Sequence, residues 1–222
     1  LAQLVDAGTV PLEIVENAVR QILRIKFALG LFENPYADES FAQNSLLLPE
    51  YLATALEIAT KSMVLLKNEG TLLPLQVDQK IALIGPLVDD HHEILGTWYR
   101  IGKDQDSESV LDGMKAVFNS AELIHVHGCD LEGDENLEIE IAMAAAQNAD
   151  VAVLILGEAE GMSGEAHCRT RLGLPGHQQE LLEAVHATGT PVVVVLMSGR
   201  PMVIPWMAEN VPAILVAWHG GL

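Results

Sequence analysis

Apolar residues follow two different periods along the chain. Val15, Val19, Ile22 and Ile25 or Phe27 recur at helical spacing, so the first thirty residues read as one helix. Pro11 suits its first turn, where a missing N–H would go unpaired anyway. Gly30 follows Leu29, where a left-handed residue commonly ends a helix. Positions 37–44 are polar and aperiodic, as in a linker. A second helix is predicted over 49–67, with Leu52, Ala55, Leu56, Ala59, Met63 and Leu66 on one side, until Asn68, Glu69 and Gly70 break it. The pattern then changes. Compact apolar runs at 80–85, 123–127, 151–156, 192–197 and 213–217 read as strands. Helical segments are predicted between them at 109–118, 136–148, 176–188 and near 204–209. Strands that are apolar on both faces and alternate with helices indicate a parallel sheet covered on both sides. The predicted fold class is therefore α/β, a doubly wound, mostly parallel sheet with helices on both faces.

Composition narrows the partners more than the fold. The 222 residues suffice for one large domain, or one domain and a piece of another, and half of them are apolar. No apolar run reaches the roughly 18 to 20 residues that a membrane helix needs. The N-terminus lacks the basic region, apolar stretch and small-residue site of an export signal. Thirty-one acidic against 12 basic residues leave a net charge of −19. Such a field repels a nucleic-acid backbone and an anionic membrane surface, whereas an uncharged substrate such as a sugar is compatible with it. Cys129 and Cys168 form neither a disulfide framework nor a CxxC metal motif, and both read as free or buried thiols.

In open α/β sheets the ligand-facing loops lie at the carboxyl ends of the strands. Three loops qualify. The first runs from Gly85-Pro86-Leu87 through Asp89, Asp90, His91 and His92 to Gly96-Thr97-Trp98. It lacks the GxGxxG of a dinucleotide site, and the chain contains no P-loop, so both nucleotide readings fall. The aspartate–histidine run has no metal-ligand spacing and reads as a solvated loop. Trp98 has two readings, stacking on a sugar face or, as the commoner use of the residue, core packing. The second loop carries Glu158, Glu160 and Glu165 among glycines, with His167 and Arg169 beyond. A charged loop is often plain surface, yet a carboxyl group on a glycine-rich loop can also reach into a neighbouring cleft. Ser198-Gly199-Arg200-Pro201 is the third loop.

Several segments together resemble glycoside hydrolase family 3. Lys61-Ser62-Met63-Val64-Leu65-Leu66-Lys67-Asn68-Glu69, with Leu72-Leu73-Pro74-Leu75, is similar to the entry of that family's second domain, and Ile81-Ala82-Leu83-Ile84-Gly85-Pro86 to its first strand. The stretch from Gly157-Glu158 through Ser163-Gly164-Glu165 to Arg169, then Leu174-Pro175-Gly176-His177-Gln178, resembles the acid/base loop and the helix after it. Ser198-Gly199-Arg200-Pro201 and Ala217-Trp218-His219-Gly220-Gly221 match as well. Upstream, Ile22-Leu23 and Gly30-Leu31-Phe32 resemble the last helix of the family's N-terminal barrel. Each piece is weak alone; their order and spacing are specific.

The resemblance implies residues 1–36 as the tail of a catalytic barrel, 37–48 as a linker and 49–222 as an α/β sandwich domain truncated at its end. It implies a retaining exo-acting β-glycosidase, similar to bacterial periplasmic β-glucosidases, that removes terminal β-D-glucosyl residues without cofactor or metal. The family's nucleophile is an aspartate on the barrel, which this chain lacks, and Glu165 matches its general acid/base. The chain alone is therefore expected to be inactive, with the missing barrel and a β-linked glucoside or oligosaccharide as partners, in a periplasmic or secreted setting. Arg169 is expected to orient a loop carboxylate; His167, Glu160 and Trp98 are lesser candidates for orientation or substrate contact. Arg200 and Trp218 are assigned to the scaffold. A β-xylosidase or arabinosidase of the same family, and a catalytically silent binding or scaffold domain, are the rival readings.

Overall fold

The β-branched and leucine-rich runs assemble in the computed structural model of the chain, which describes residues 1–100, 102–118, 123–134 and 137–221. Two compact units result, Leu1–Leu48 and Pro49–Leu222. In the first, the expected single helix is two. Helix α1 spans Ala2–Asp6 and α2 spans Leu12–Ala28, and Pro11 is the N-cap of α2 rather than its first helical residue. The end is as the pattern predicts: the Gly30 and Leu31 N–H groups bond to the Phe27 and Lys26 carbonyls, the paired closure of a Schellman motif. The apolar residues of α2, among them Ile14, Val19, Ile22, Ile25 and Phe27, are exposed. The polar stretch expected to be linker contains helix α3, Glu39–Ser45, started by an Asp38 side chain that accepts from the Ser40 N–H.

The second unit begins with α4, Pro49–Ser62. Here the sequence reading fails by five residues. The predicted helix stops at Ser62, and β1, Val64–Asn68, is a strand antiparallel to β6, Ala213–Val216. A helix continued to Lys67 would leave the β6 edge without partners for its backbone groups; a run containing Val64, Leu65 and Leu66 satisfies them as a strand. The side chain of Asn68 then fixes the following turn, bonding both the N–H and the carbonyl of Leu73.

The other strands stand where the apolar runs predict: β2 Ile81–Ile84, β3 Leu123–Val126, β4 Val151–Gly157 and β5 Val192–Met197. With β1 and β6 they form one sheet in the order β1-β6-β5-β4-β2-β3, parallel except for β1. Helices α5 (Val110–Val117), α6 (Ile139–Gln147), α7 (Gln178–His186) and α8 (Pro205–Asn210) connect them. The expected start of α6 at Asn136 lies outside the described residues. Alternate side chains of the parallel strands enter different cores. Ala82, Ile84, Leu154, Leu156, Val194 and Leu196 pack with α6, α7 and α8, whereas Ile81, Leu83, Val153 and Ile155 pack with Leu111 of α5 and with Leu87 and Val88. Both faces are covered, so every residue of β2 and β4 is buried. That is why these strands read as continuous apolar runs.

Candidate active site

The chain leaves β2 for β3 on one side and returns to β4 on the other. Strand order reverses there, and the loops after β2 and β4 diverge to leave a crevice at their carboxyl ends. The loops after β5 and β6 open on the same edge, because these strands run parallel to β4. The loops after β2 and β4 are tied together by side chains of modest size. The Thr97 hydroxyl, on the β2 loop, lies 2.6 Å from the Glu160 carbonyl and 2.8 Å from that of Ser163 on the β4 loop. The Glu160 N–H donates to the carboxylate of Glu93 at 2.5 Å, and partial burial pushes the Glu93 carboxyl above its ordinary pKa. Two glycines permit the approach. A Cβ on Gly164, whose φ is +98°, would strike the Thr97 side chain, and one on Gly199 of the β5 loop would strike Ser163.

The three glutamates of the β4 loop have three different fates. Glu158, directly after the buried strand, is itself 0% exposed. Its N–H donates to the Met197 carbonyl, extending the ladder to β5, and its carboxylate accepts from two guanidinium groups. Arg169, at the far end of the loop, donates from Nη1; Arg200, after β5, donates from Nη2 at 2.7 Å and from Nε at 3.1 and 3.2 Å. The bonds to Glu158 also raise the pKa of Arg200. Just before this cluster, buried Gln178 of α7 holds the Gly157 peptide at both ends, accepting from its N–H at 2.8 Å and donating to its carbonyl at 2.9 Å. Glu160 opens a short 3₁₀ turn, Glu160–Met162, and is engaged through its backbone with Glu93 and Thr97.

Glu165 is exposed at the top of the loop, in a turn closed by the His167 N–H and the Gly164 carbonyl at 3.3 Å. Ala166, in the same turn, has φ +65°, an uncommon value for a residue with a Cβ. Glu165, Ala166 and His167 line an open depression of about 340 Å³ with Thr97, Trp98 and Arg100. Trp98 is 62% exposed there, which overturns its core-packing reading. Of the expected site residues, then, the fold gathers Glu165, His167 and Trp98 at one depression, while Arg169 and Glu160 serve the loop beneath. Trp218, expected to belong to the scaffold, donates its indole N–H to the Ser62 carbonyl at 2.9 Å. Sequence reasoning missed the burial of Glu158. The signal was present, since the residue continues a strand with no exposed position, but a charge in that place reads as the strand's end.

The run from Asp89 to His92 is divided among separate partners. Asp89 accepts from the Ser109 hydroxyl, Asp90 from the backbone of His92 and Glu93, His91 pairs with the Ser107 carbonyl and His92 with Asp104. Among the described residues, no cluster of three or more His, Cys, Asp or Glu side chains is arranged to hold a metal. Cys129 and Cys168 are unpaired, the first buried and the second exposed. No helix of the described residues is long and apolar enough to cross a membrane.

A six-stranded α/β domain with a carboxylate loop over its switch point defines the class. The comparison with known proteins is more specific: residues 63–222 match the glycosyl hydrolase family 3 C-terminal domain, and the chain belongs to that family. It is 33% identical to a periplasmic β-glucosidase of Salmonella typhimurium, matching across 100% of this chain and 32% of that protein. A β-xylosidase of Formosa agariphila is 37% identical over 95% of the chain and 30% of its own length. Among solved structures, the β-glucosidase of Listeria innocua in complex with gluconolactone superposes with a TM-score of 0.88 and 34% identity, covering 99% of this chain and 30% of that one. The same enzyme has been solved with glucose. The chain spans about a third of the length of these relatives.

Proposed function

We propose that this chain is the part of a retaining, exo-acting β-glycosidase that supplies the general acid/base, and that Glu165 is that group. One observation carries the reading: in a domain of this family, Glu165 is an exposed carboxylate lining an open depression on the loop, whereas Glu158 is sealed beneath two arginines and Glu160 is held below by its backbone. The attacking aspartate is proposed to stand on a barrel domain, of which residues 1–36 form the last part, with 37–48 leading into the α/β domain. A retaining site brings its two carboxyl groups to about 5–5.5 Å. Glu165 then gives its proton to the glycosidic oxygen as the C–O bond breaks, and afterwards takes one from the water that releases the sugar. For the first step it must be protonated near neutral pH. An apposed barrel would supply both the burial and the nearby negative charge that raise a carboxyl pKa. Trp98 offers an apolar face beside the leaving group, and Arg100 and His167 border the same depression. The chemistry requires no cofactor or metal.

The proposed substrate is a terminal, non-reducing β-D-glucosyl residue, in line with the Salmonella and Listeria relatives. The greater identity to the Formosa β-xylosidase supports β-xyloside as the second reading, and initial rates on paired aryl glucosides and xylosides separate the two. A periplasmic or secreted location is proposed from the Salmonella relative alone. The role of Glu165 is tested in the full-length enzyme. Glu165→Ala should slow substrates with poor leaving groups by about 10²- to 10⁴-fold and activated aryl glycosides much less, with azide restoring turnover of the activated ones. An unchanged rate on a disaccharide, or a loss that follows Glu160→Ala instead, would overturn the assignment. The 222-residue chain by itself should show only background hydrolysis of an aryl β-glucoside, since the proposed nucleophile stands on the barrel domain.

A further inference from the structure

The loop that carries Glu165 leaves β4 at Glu158 and is pinned again at Arg169, and those two residues are ion-paired to each other. Its ends are therefore closed on one another at the sheet edge. Arg200 joins from β5 and reaches further, because its Nη2 also donates to the carbonyl of Met162, halfway up the loop, at 3.2 Å. The backbone of Arg200 is itself held by the Ser198 hydroxyl at 2.8 Å. The three side chains are 0%, 16% and 22% exposed, so water competes little for their bonds. A carboxylate stripped of water is tolerated only when its acceptor sites are filled, and the guanidinium forks fill them in a fixed geometry. Lysine would conserve the charge but not the fork.

We infer that Glu158, Arg169 and Arg200 form a clamp that sets where Glu165 stands for proton transfer, Glu158 and Arg200 being positioning residues rather than elements of general stability. The inference rests on the acid/base reading of Glu165. Rate depends steeply on such placement, because a proton donor displaced by about 1 Å forfeits on the order of 10²-fold. Thr97 and Glu93 hold the loop at Glu160 and Ser163, before the turn, but leave its far end beyond Glu165 without a tether. The clamp supplies tethers at Glu158, Met162 and Arg169, below and on either side of the turn that bears the carboxyl group.

The test uses the full-length enzyme with Arg200→Lys and Arg169→Lys, each checked for an unchanged circular dichroism spectrum and a cooperative thermal transition. The kcat/KM is measured for a 2,4-dinitrophenyl β-glycoside, which needs no protonation to depart, and for the alkyl β-glycoside of the same sugar. The clamp predicts a loss of about 10- to 100-fold on the alkyl glycoside with little change on the dinitrophenyl one. It also predicts that Arg200→Lys placed on Glu165→Ala adds no further leaving-group-selective loss, since the two act through one group. Equal losses on both substrates, no loss on either, or additive losses in the double variant would overturn the clamp and leave Glu165 as the acid. If Glu165→Ala itself shows no selectivity between the two substrates, the acid/base reading fails, and the clamp's role falls with it.

Discussion

Residues of one type on one loop can be separated only by their surroundings, and the β4 loop shows how far. Glu158 and Glu165 are seven positions apart in a stretch where composition marks both as surface. One is sealed beneath two arginines and the other stands in the open. Their difference is set by the two arginines, of which Arg200 comes from beyond the next helix and strand. The cysteines divide in the same way. Cys129 is buried, and burial together with nearby Asp130 and Glu180 pushes its thiol up to about 12, so it holds almost no thiolate near neutrality. Cys168 is exposed. Iodoacetamide at pH 8 should accordingly label the native protein at Cys168 alone, and at Cys129 only after denaturant is added. Peptide mass spectrometry reads the sites, and rapid native labelling of Cys129 would contradict the structure.

At the scale of elements, the parallel strands β2, β4, β5 and β6 were legible because burial on both faces leaves them no polar position. Helix α5, predicted at 109–118, has a local stabilising device as well. At α5, Ser109 accepts from the Asp112 N–H while the Asp112 carboxylate accepts from that of Ser109, a local reciprocal box. Besides the division of α1 from α2 and the helix α3, what failed was the boundary between α4 and β1. Leu52, Ala55, Leu56, Ala59, Met63 and Leu66 keep a helical period across it, and only pairing with β6 turns Val64–Asn68 into strand. Asn68 makes that conversion local. Its side chain replaces two backbone partners for Leu73 and so ends the strand in a set direction. Asn68→Ala should cost about 1–2 kcal/mol, the worth of a partly buried polar pair left unmade. Urea unfolding of this chain would measure it, and a change within about 0.5 kcal/mol, as for an ordinary surface site, would show that β1 alone sets the turn.

For the whole molecule, a charge of −19 and an exposed apolar helix act in opposite directions. Repulsion holds copies apart near neutral pH, while the apolar side chains of α2 favour association. Lowering the pH toward 4.6, the sequence pI, removes the repulsion and leaves the helix face unopposed. Light scattering of the 222-residue chain should therefore show association rising as the pH falls. Replacing Ile14, Ile22 and Phe27 with polar residues should suppress much of that rise; an identical rise in the substituted chain would place the contact elsewhere. The α/β class, the parallel strands and the approximate place of the loops followed from the sequence by itself, because burial of both sheet faces writes an unbroken apolar signal that no distant residue can alter. The family's order of motifs singled out Glu165 in the same one-dimensional way. Tertiary structure alone decided the edge strand β1, the burial of Glu158 and the exposure of Trp98. The first two depend on partners far along the chain, a strand edge needing hydrogen bonds and guanidinium groups that make a buried charge tolerable, and the third on the absence of any core over the indole; a local pattern records neither.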